Sequence, residues 1–171
     1  MNQRTLEKPR PEFAESFERF RDSVLAKGDG GWIAPGTAIA LTDVGAYIEA
    51  ANAWSAGNEI PEGWVPSSIY WIVENGEVVG ELTVRHYLTE HLREIGGHIG
   101  YLTHPAHRNT GIATFALREG LKILAGMHVH KALVTTLEEN VASVRVIEKC
   151  GGRRIDDATK GPKRRRYLFT V

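Results

Sequence analysis

Residues 98–125 read HIGYLTHPAHRNTGIATFALREGLKILA, and the fold turns on this stretch. His98 to Thr103 predict a strand that stops at His104-Pro105, since proline brings no N–H to a ladder. The loop Arg108-Asn109-Thr110-Gly111-Ile112-Ala113 leads straight into a helix, Gly111 to Ala125. Its Ile112, Phe115, Ala116, Leu121 and Leu124 suit a mostly buried element. The first amides of a helix have no internal partners and sit at the positive end of its dipole. Gly111 has no Cβ and Ala113 is nearly as small, so an anion can approach the main chain closely. Arg108 adds a fork of donors. The pattern predicts a diphosphate cradle made mainly of backbone N–H groups. It lacks the Gly-Lys-Ser/Thr ending of a Walker loop, and it is not the G-x-G-x-x-G dinucleotide pattern. On this stretch alone, a loop and helix start that bind nothing fit equally well.

Outward from it, the strongest turn signal is Glu74-Asn75-Gly76-Glu77, which predicts a hairpin between strands Ser68–Val73 and Val78–Tyr87. The polar stretch Leu88 to Glu94 separates that hairpin from the strand at His98. Before it, Pro11 and Glu12 suit a first helical turn, with Phe13, Phe17, Phe20 and Val24 on one face. A Gly-rich break, Gly28-Asp29-Gly30-Gly31, ends that helix. A second starts at Thr42 or Asp43 and places Val44, Tyr47, Ile48, Ala51 and Trp54 at helical spacing. Gly57 to Pro66 reads as loop carrying an exposed Trp64. Downstream come a strand at Lys131–Leu137, a helix at Asn140–Cys150 stopped by Gly151-Gly152, and two strands, Arg153–Ile155 and Arg166–Val171, around Gly161-Pro162. The order α-α-β-β-β-α-β-α-β-β predicts an α/β (α+β) fold, one domain over 1–171, with helices on both faces of a mixed sheet.

Composition narrows the function. The 171 residues hold 21 Lys plus Arg and 21 Asp plus Glu, so the net charge of zero argues against a nucleic-acid partner. No apolar run approaches the ~20 residues of a membrane helix, and Met1 to Arg10 carries no signal-peptide core. A cytoplasmic protein with no membrane partner is expected. The lone Cys150 excludes an internal disulfide and reads as a packing residue. The seven histidines show no zinc spacing, so no metal is implied.

After the next strand stands a second motif, Asn140-x-x-Ser143, opening a short helix that ends Glu148-Lys149-Cys150 before Gly151-Gly152. Together with Arg108-x-x-Gly111-x-Ala113, and Pro105 three residues upstream, it resembles the paired signatures of the GNAT superfamily of acyl-CoA-dependent N-acyltransferases, in order and at the family's separation. The likeness runs from Ile69 to Val171, while the two N-terminal helices agree only in type. Pro61-Glu62-Gly63-Trp64-Val65-Pro66, Arg85-His86 and Gly97-His98-Ile99-Gly100-Tyr101 further resemble a bacterial branch of acetyltransferases with no settled acceptor.

That resemblance implies a largely antiparallel sheet with a V-shaped splay, and acetyl-CoA as cosubstrate leaving as CoA. It places the CoA pyrophosphate on Arg108, Asn109, Thr110, Gly111, Ile112 and Ala113. The pantetheine arm would lie along the backbone of Tyr101, Leu102 and Thr103, with Lys131–Leu137 as the splayed neighbour. Asn140 and Ser143 would reach the cosubstrate from the next helix, and Asn140 also suits an N-cap. The reaction implied is direct attack of an amine on the thioester in a ternary complex, with a main-chain oxyanion donor near Leu102 or Thr103. Candidate bases are Glu81, His86 and His98. Ile147 stands where many members carry a tyrosine acid, leaving water, Tyr101 or Tyr167 for that role. Glu81, mid-strand in an apolar run, is expected to face either a wet cleft or the outside of a half-exposed strand.

The acceptor implied is a small-molecule or peptide amine, seated between Ala50–Pro66 and Ala158–Arg165 against Trp54, Trp64, Trp71, Tyr70 and Tyr87. Residues 153–171 hold seven cations against Asp156 and Asp157, a cluster that would suit an acidic partner or a solvated hairpin tip. A non-catalytic CoA- or nucleic-acid-binding module on the same fold is the competing function. A homodimer is left open.

Overall fold

The structure is a computed structural model describing residues 3–28, 37–157 and 163–171. In chain order it runs β1 (Arg4–Glu7), α1 (Ala14–Ala26), α2 (Thr37–Thr42), α3 (Val44–Ser55), β2 (Ser67–Glu74), β3 (Glu77–Arg85), α4 (Glu90–Glu94), β4 (Ile99–Thr103), α5 (Ile112–Gly126), β5 (Lys131–Leu137), α6 (Val141–Lys149), β6 (Arg153–Asp157) and β7 (Arg164–Thr170). The Asn75-Gly76 turn makes the central hairpin: both residues have positive φ, 53° and 81°, which matches the twist of the strands it joins.

Two antiparallel sheets result, ordered β1-β2-β3-β4 and β5-β7-β6. They meet at one seam. Gly97 bridges Val134, and the His98 N–H donates to the Leu133 carbonyl at 2.7 Å. Gly97 is required there, since a Cβ would fall 2.5 Å from the Leu133 carbonyl oxygen. Beyond the seam β4 ends one sheet and β5 ends the other, which is the splay of the expected V.

One face of the larger sheet packs on α1, α2 and α3. Phe17 lies between Tyr47 and Trp71, with ring centroids 5.3 and 4.5 Å apart and nearly parallel planes. Such stacks add about 1 kcal/mol each to the area they bury. The opposite face joins the smaller sheet, α5 and α6 through Ile72, Leu82, Ile99, Leu117, Ile147 and Tyr167. Gly80 brings these layers together: a Cβ there would meet the Leu102 carbonyl at 2.7 Å and Ile112 Cγ2 at 3.1 Å.

The sequence reading missed three short elements. Strand β1 holds one apolar residue in four, and pairs along β2 from Arg4↔Glu74 to Glu7↔Trp71. The six-residue α2 precedes the expected second helix, whose Asp43 is the N-cap rather than its first turn. The polar stretch before β4 folds into α4, capped by Thr89, whose Oγ1 accepts the Leu92 N–H at 3.2 Å. Asp29, Gly30 and Gly31 of the first break, and the turn at Gly161-Pro162, lie outside the described residues.

Candidate active site

The strand-loop-helix unit builds the site. After β4, the His104 Nδ1 accepts the Ala106 N–H at 3.1 Å and Pro105 opens a 3-10 turn. Asn109 then takes φ +64°, and the Thr110 hydroxyl donates back to the His107 carbonyl at 2.7 Å. Gly111 is the N-cap of α5 at φ +89°, and no side chain caps the helix. At α3 and α6 the chain closes the helix start itself, whereas α1, like α5, has no side-chain cap. Asp43 Oδ1 accepts the Ala46 N–H at 2.9 Å for α3, and Asn140 Oδ1 accepts the Ser143 N–H at 3.1 Å for α6. The start of α5 is thus held in a conformation suited to an anion: buried Ile112 anchors the first turn while its amides stay uncapped.

Alongside lies a cavity of about 360 Å³ whose lining includes Arg4, Gly111, Thr114, Phe115, Arg118 and Lys149. Arg4 was not foreseen. Its Nη2 donates to the Thr110 carbonyl at 2.8 Å, and its Nε to Glu74 Oε1 at 2.7 Å. No sequence signal connects positions 4 and 110.

Strand β4 leads from this loop to the seam. The Arg85 N–H donates to the His98 carbonyl at 2.7 Å and the His104 N–H to the Val79 carbonyl at 2.9 Å. Both pairs belong to the register that sets Leu102 opposite Glu81 and Tyr101 opposite Leu82. An antiparallel ladder alternates, so even-numbered residues of β4 turn their backbone groups to β3. Tyr101 and Thr103 present theirs along the other edge. Leu102, expected to offer its backbone to a ligand, instead bonds across to β3; that part of the reading is corrected.

On the α6 side of β4 the Tyr101 hydroxyl is buried without a hydrogen-bond partner among the described residues. Burial pushes its pKa up to about 12, against a smaller downward pull from the Ser143 hydroxyl. A buried, unpaired O–H costs roughly 1–3 kcal/mol, which a ligand atom in the splay would relieve. Asn140 and Ser143 stand at the start of the helix that covers this side. Ile147 is in the core, and half-buried Cys150 caps the end of α6.

The other candidate acid-base groups are placed apart. Glu81 is 2% exposed, on the face of β3 that carries α3, and its Oε2 accepts the Tyr47 hydroxyl at 2.9 Å. Neither a wet cleft nor an outward position describes it. Burial first, then the Glu81 charge, hold the Tyr47 phenol well above its ordinary pKa. His98 is a seam residue: its Nδ1 accepts the Leu133 N–H at 3.0 Å. Burial lowers its pKa, so it is neutral with the proton on Nε2, a donor and not a base. His86 Nε2 lies 2.8 Å from Ser68 Oγ at the far end of β3.

On the acceptor side Trp64 is exposed and packs at 6.3 Å on Trp54, while Trp71 is wholly buried. Of the expected groove, residues 158–162 lie outside the described residues. Of the C-terminal cations, Lys163 and Arg165 form ion pairs with Glu138, and Arg166 with Glu94 and Asp156. Among the described residues no three His, Cys, Asp or Glu side chains are grouped to hold a metal ion. No described helix is long and apolar enough to cross a membrane.

Comparison with known proteins agrees with this geometry. Residues 5–153 match the family model described as acetyltransferase (GNAT) domain. No curated protein sequence matches. The fold is similar to that of the microcin C7 self-immunity acetyltransferase MccE, solved with acetyl-CoA and AMP, at 15% identity and TM-score 0.74, over 99% of this chain and 93% of that one. It is similar to Mycobacterium smegmatis RimJ in complex with CoA-disulfide, at 20% identity and TM-score 0.69, over 99% and 87%. The ribosomal L7/L12 alpha-N-protein acetyltransferase RimL, solved with coenzyme A, aligns at 12% identity and TM-score 0.72, over 98% and 94%.

Proposed function

The chain belongs to the GNAT acetyltransferase family and is an acyltransferase; from that premise we propose that it moves an acetyl group from acetyl-CoA to a primary amine of a small molecule or peptide. The observation that carries this reading is the uncapped start of α5, with Gly111 at φ +89°, beside the free edge of β4. The diphosphate is held by the amides from Asn109 to Ala113, with Arg108 as the added cation. The pantetheine arm pairs with the outward backbone groups of Tyr101 and Thr103 as an extra strand would. Asn140 and Ser143 flank it from α6. The fit of acetyl-CoA is supported by the unpaired Tyr101 hydroxyl, which the splay would otherwise bury at a cost.

The amine attacks the thioester carbonyl directly. The outward Thr103 N–H is the main-chain donor that meets the developing oxyanion. Departing thiolate, with an ordinary thiol pKa of roughly 8.5, needs little help. Tyr101, at about 12, is a poorer acid than the thiol by some three orders of magnitude, so it donates a hydrogen bond to sulfur rather than its proton. His98 holds the seam. Glu81 is held by Tyr47 on the opposite, water-free face, and the amine proton leaves to solvent water. The protein acts in the cytoplasm, as a single domain over 1–171.

Two of its solved structural neighbours are named for acetyl transfer to a ribosomal protein N-terminus or for self-immunity, which supports an amine acceptor without choosing one. The test is thiol release from acetyl-CoA across polyamines, amino acids, aminoglycosides and peptide N-termini. Turnover with at least one amine is expected, and Arg108→Ala raises KM for acetyl-CoA. CoA binding with no thiol release on any amine would leave only a CoA-binding module.

A further inference from the structure

We infer that Arg4 is a positioning residue for the α5 cradle: it fixes which way the Thr110–Gly111 peptide faces, and so where the Gly111 N–H points. This rests on the diphosphate reading above. Arg4 stands on edge strand β1 directly opposite Glu74, which is 6% exposed. The carboxylate takes Nε at 2.7 Å, which leaves Nη2 aimed at the Thr110 carbonyl at 2.8 Å. The other Glu74 oxygen lies 3.8 Å from His107 Nδ1, at the opposite end of the same loop. One buried carboxylate therefore aims the guanidinium and flanks the loop it grips.

A trans peptide is planar, with its C=O and the following N–H pointing in opposite directions. Holding the Thr110 oxygen toward Arg4 turns the Gly111 N–H away from the guanidinium and keeps the carbonyl dipole off the anion's side. Gly111 is where the alternative exists. A residue without Cβ accepts φ of either sign, so Gly111 itself does not hold the peptide at φ +89°. Arg4 supplies that restraint from outside, 106 positions away in sequence. A lysine cannot reproduce it, because one ammonium lacks the fork that spans Glu74 and Thr110.

The experiment is calorimetric titration with CoA at several salt concentrations, on the full chain and its Arg4→Ala, Arg4→Lys, Gly111→Ala and Arg4→Ala/Gly111→Ala variants, with melting temperatures recorded. Arg4→Ala is expected to weaken CoA binding by about tenfold, and Arg4→Lys to recover only part of it. Its penalty shrinks in the Gly111→Ala background, and the salt slope is unchanged if the guanidinium acts through the Thr110 carbonyl alone. Equal affinity in wild type and Arg4→Ala overturns the inference; so do additive penalties with a reduced salt slope. Should Arg4→Ala melt below the assay temperature, Arg4→Lys carries the comparison. Silence of the wild type toward CoA overturns the diphosphate reading itself, and the inference with it.

Discussion

Helices α5 and α6 both begin beside the splay between β4 and β5, yet they begin in opposite ways. At α6 the chain closes its own amides: Asn140 accepts the Ser143 N–H, as Asp43 accepts the Ala46 N–H at the start of α3. The seam is closed likewise, with His98 Nδ1 taking the Leu133 N–H. At α5 a glycine stands in the capping place and offers no acceptor. Each closed N–H contributes to stability in the chain by itself. The open ones contribute only when something else arrives, and that difference separates scaffold from site.

The comparison breaks most sharply if the open start is closed. Gly111→Asp adds a capping acceptor and a negative charge where the diphosphate would sit, and CoA affinity is expected to fall on the order of 100-fold. Calorimetry reads it, and an unchanged affinity would remove the phosphate from this loop. Next comes Tyr101→Phe. Losing the hydroxyl lowers kcat and weakens CoA affinity by roughly tenfold each, and stability holds or rises by up to about 1 kcal/mol, because an unpaired buried O–H is removed. A large loss of melting temperature instead would show that the hydroxyl is structural.

The closed starts should respond in the opposite sense. Asp43→Ala is expected to cost about 1 kcal/mol in urea unfolding and leave CoA binding untouched. The smallest effect concerns pH. The folded pKa of His98 lies below its unfolded value near 6.5, so the folded chain binds fewer protons, and stability declines as pH drops from about 6.5. His86 and His104 shift the same way. His98→Gln should flatten part of that decline in unfolding curves collected between pH 7 and 5, whereas an unchanged slope would mean that His98 is not the group responsible.

What was legible in the sequence was whatever depends on near neighbours. The helical spacing of Phe17, Phe20 and Val24, the Asn75-Gly76 turn, the Gly111 break and the Asn140 cap are all local events, and the structure realises each one. Glu81 was not legible. Its setting is decided by Tyr47, which arrives from a helix 34 positions earlier and turns an odd strand residue into a buried hydrogen-bonded pair. Leu102 fell to the parity of a ladder whose register no single strand encodes. Strand β1 was invisible because a four-residue edge with one apolar side chain carries almost no periodic signal.

That same strand has a dynamic consequence. It is four residues long and paired on one side only, the kind of segment that frays first in native-state breathing. Whenever it lifts, Arg4 leaves with it and the Thr110 carbonyl is released. Protection of the amides of residues 4–7 against deuterium exchange should therefore increase when coenzyme A is bound. The loosest edge of the sheet would report, by its own exchange rate, whether the cradle is filled.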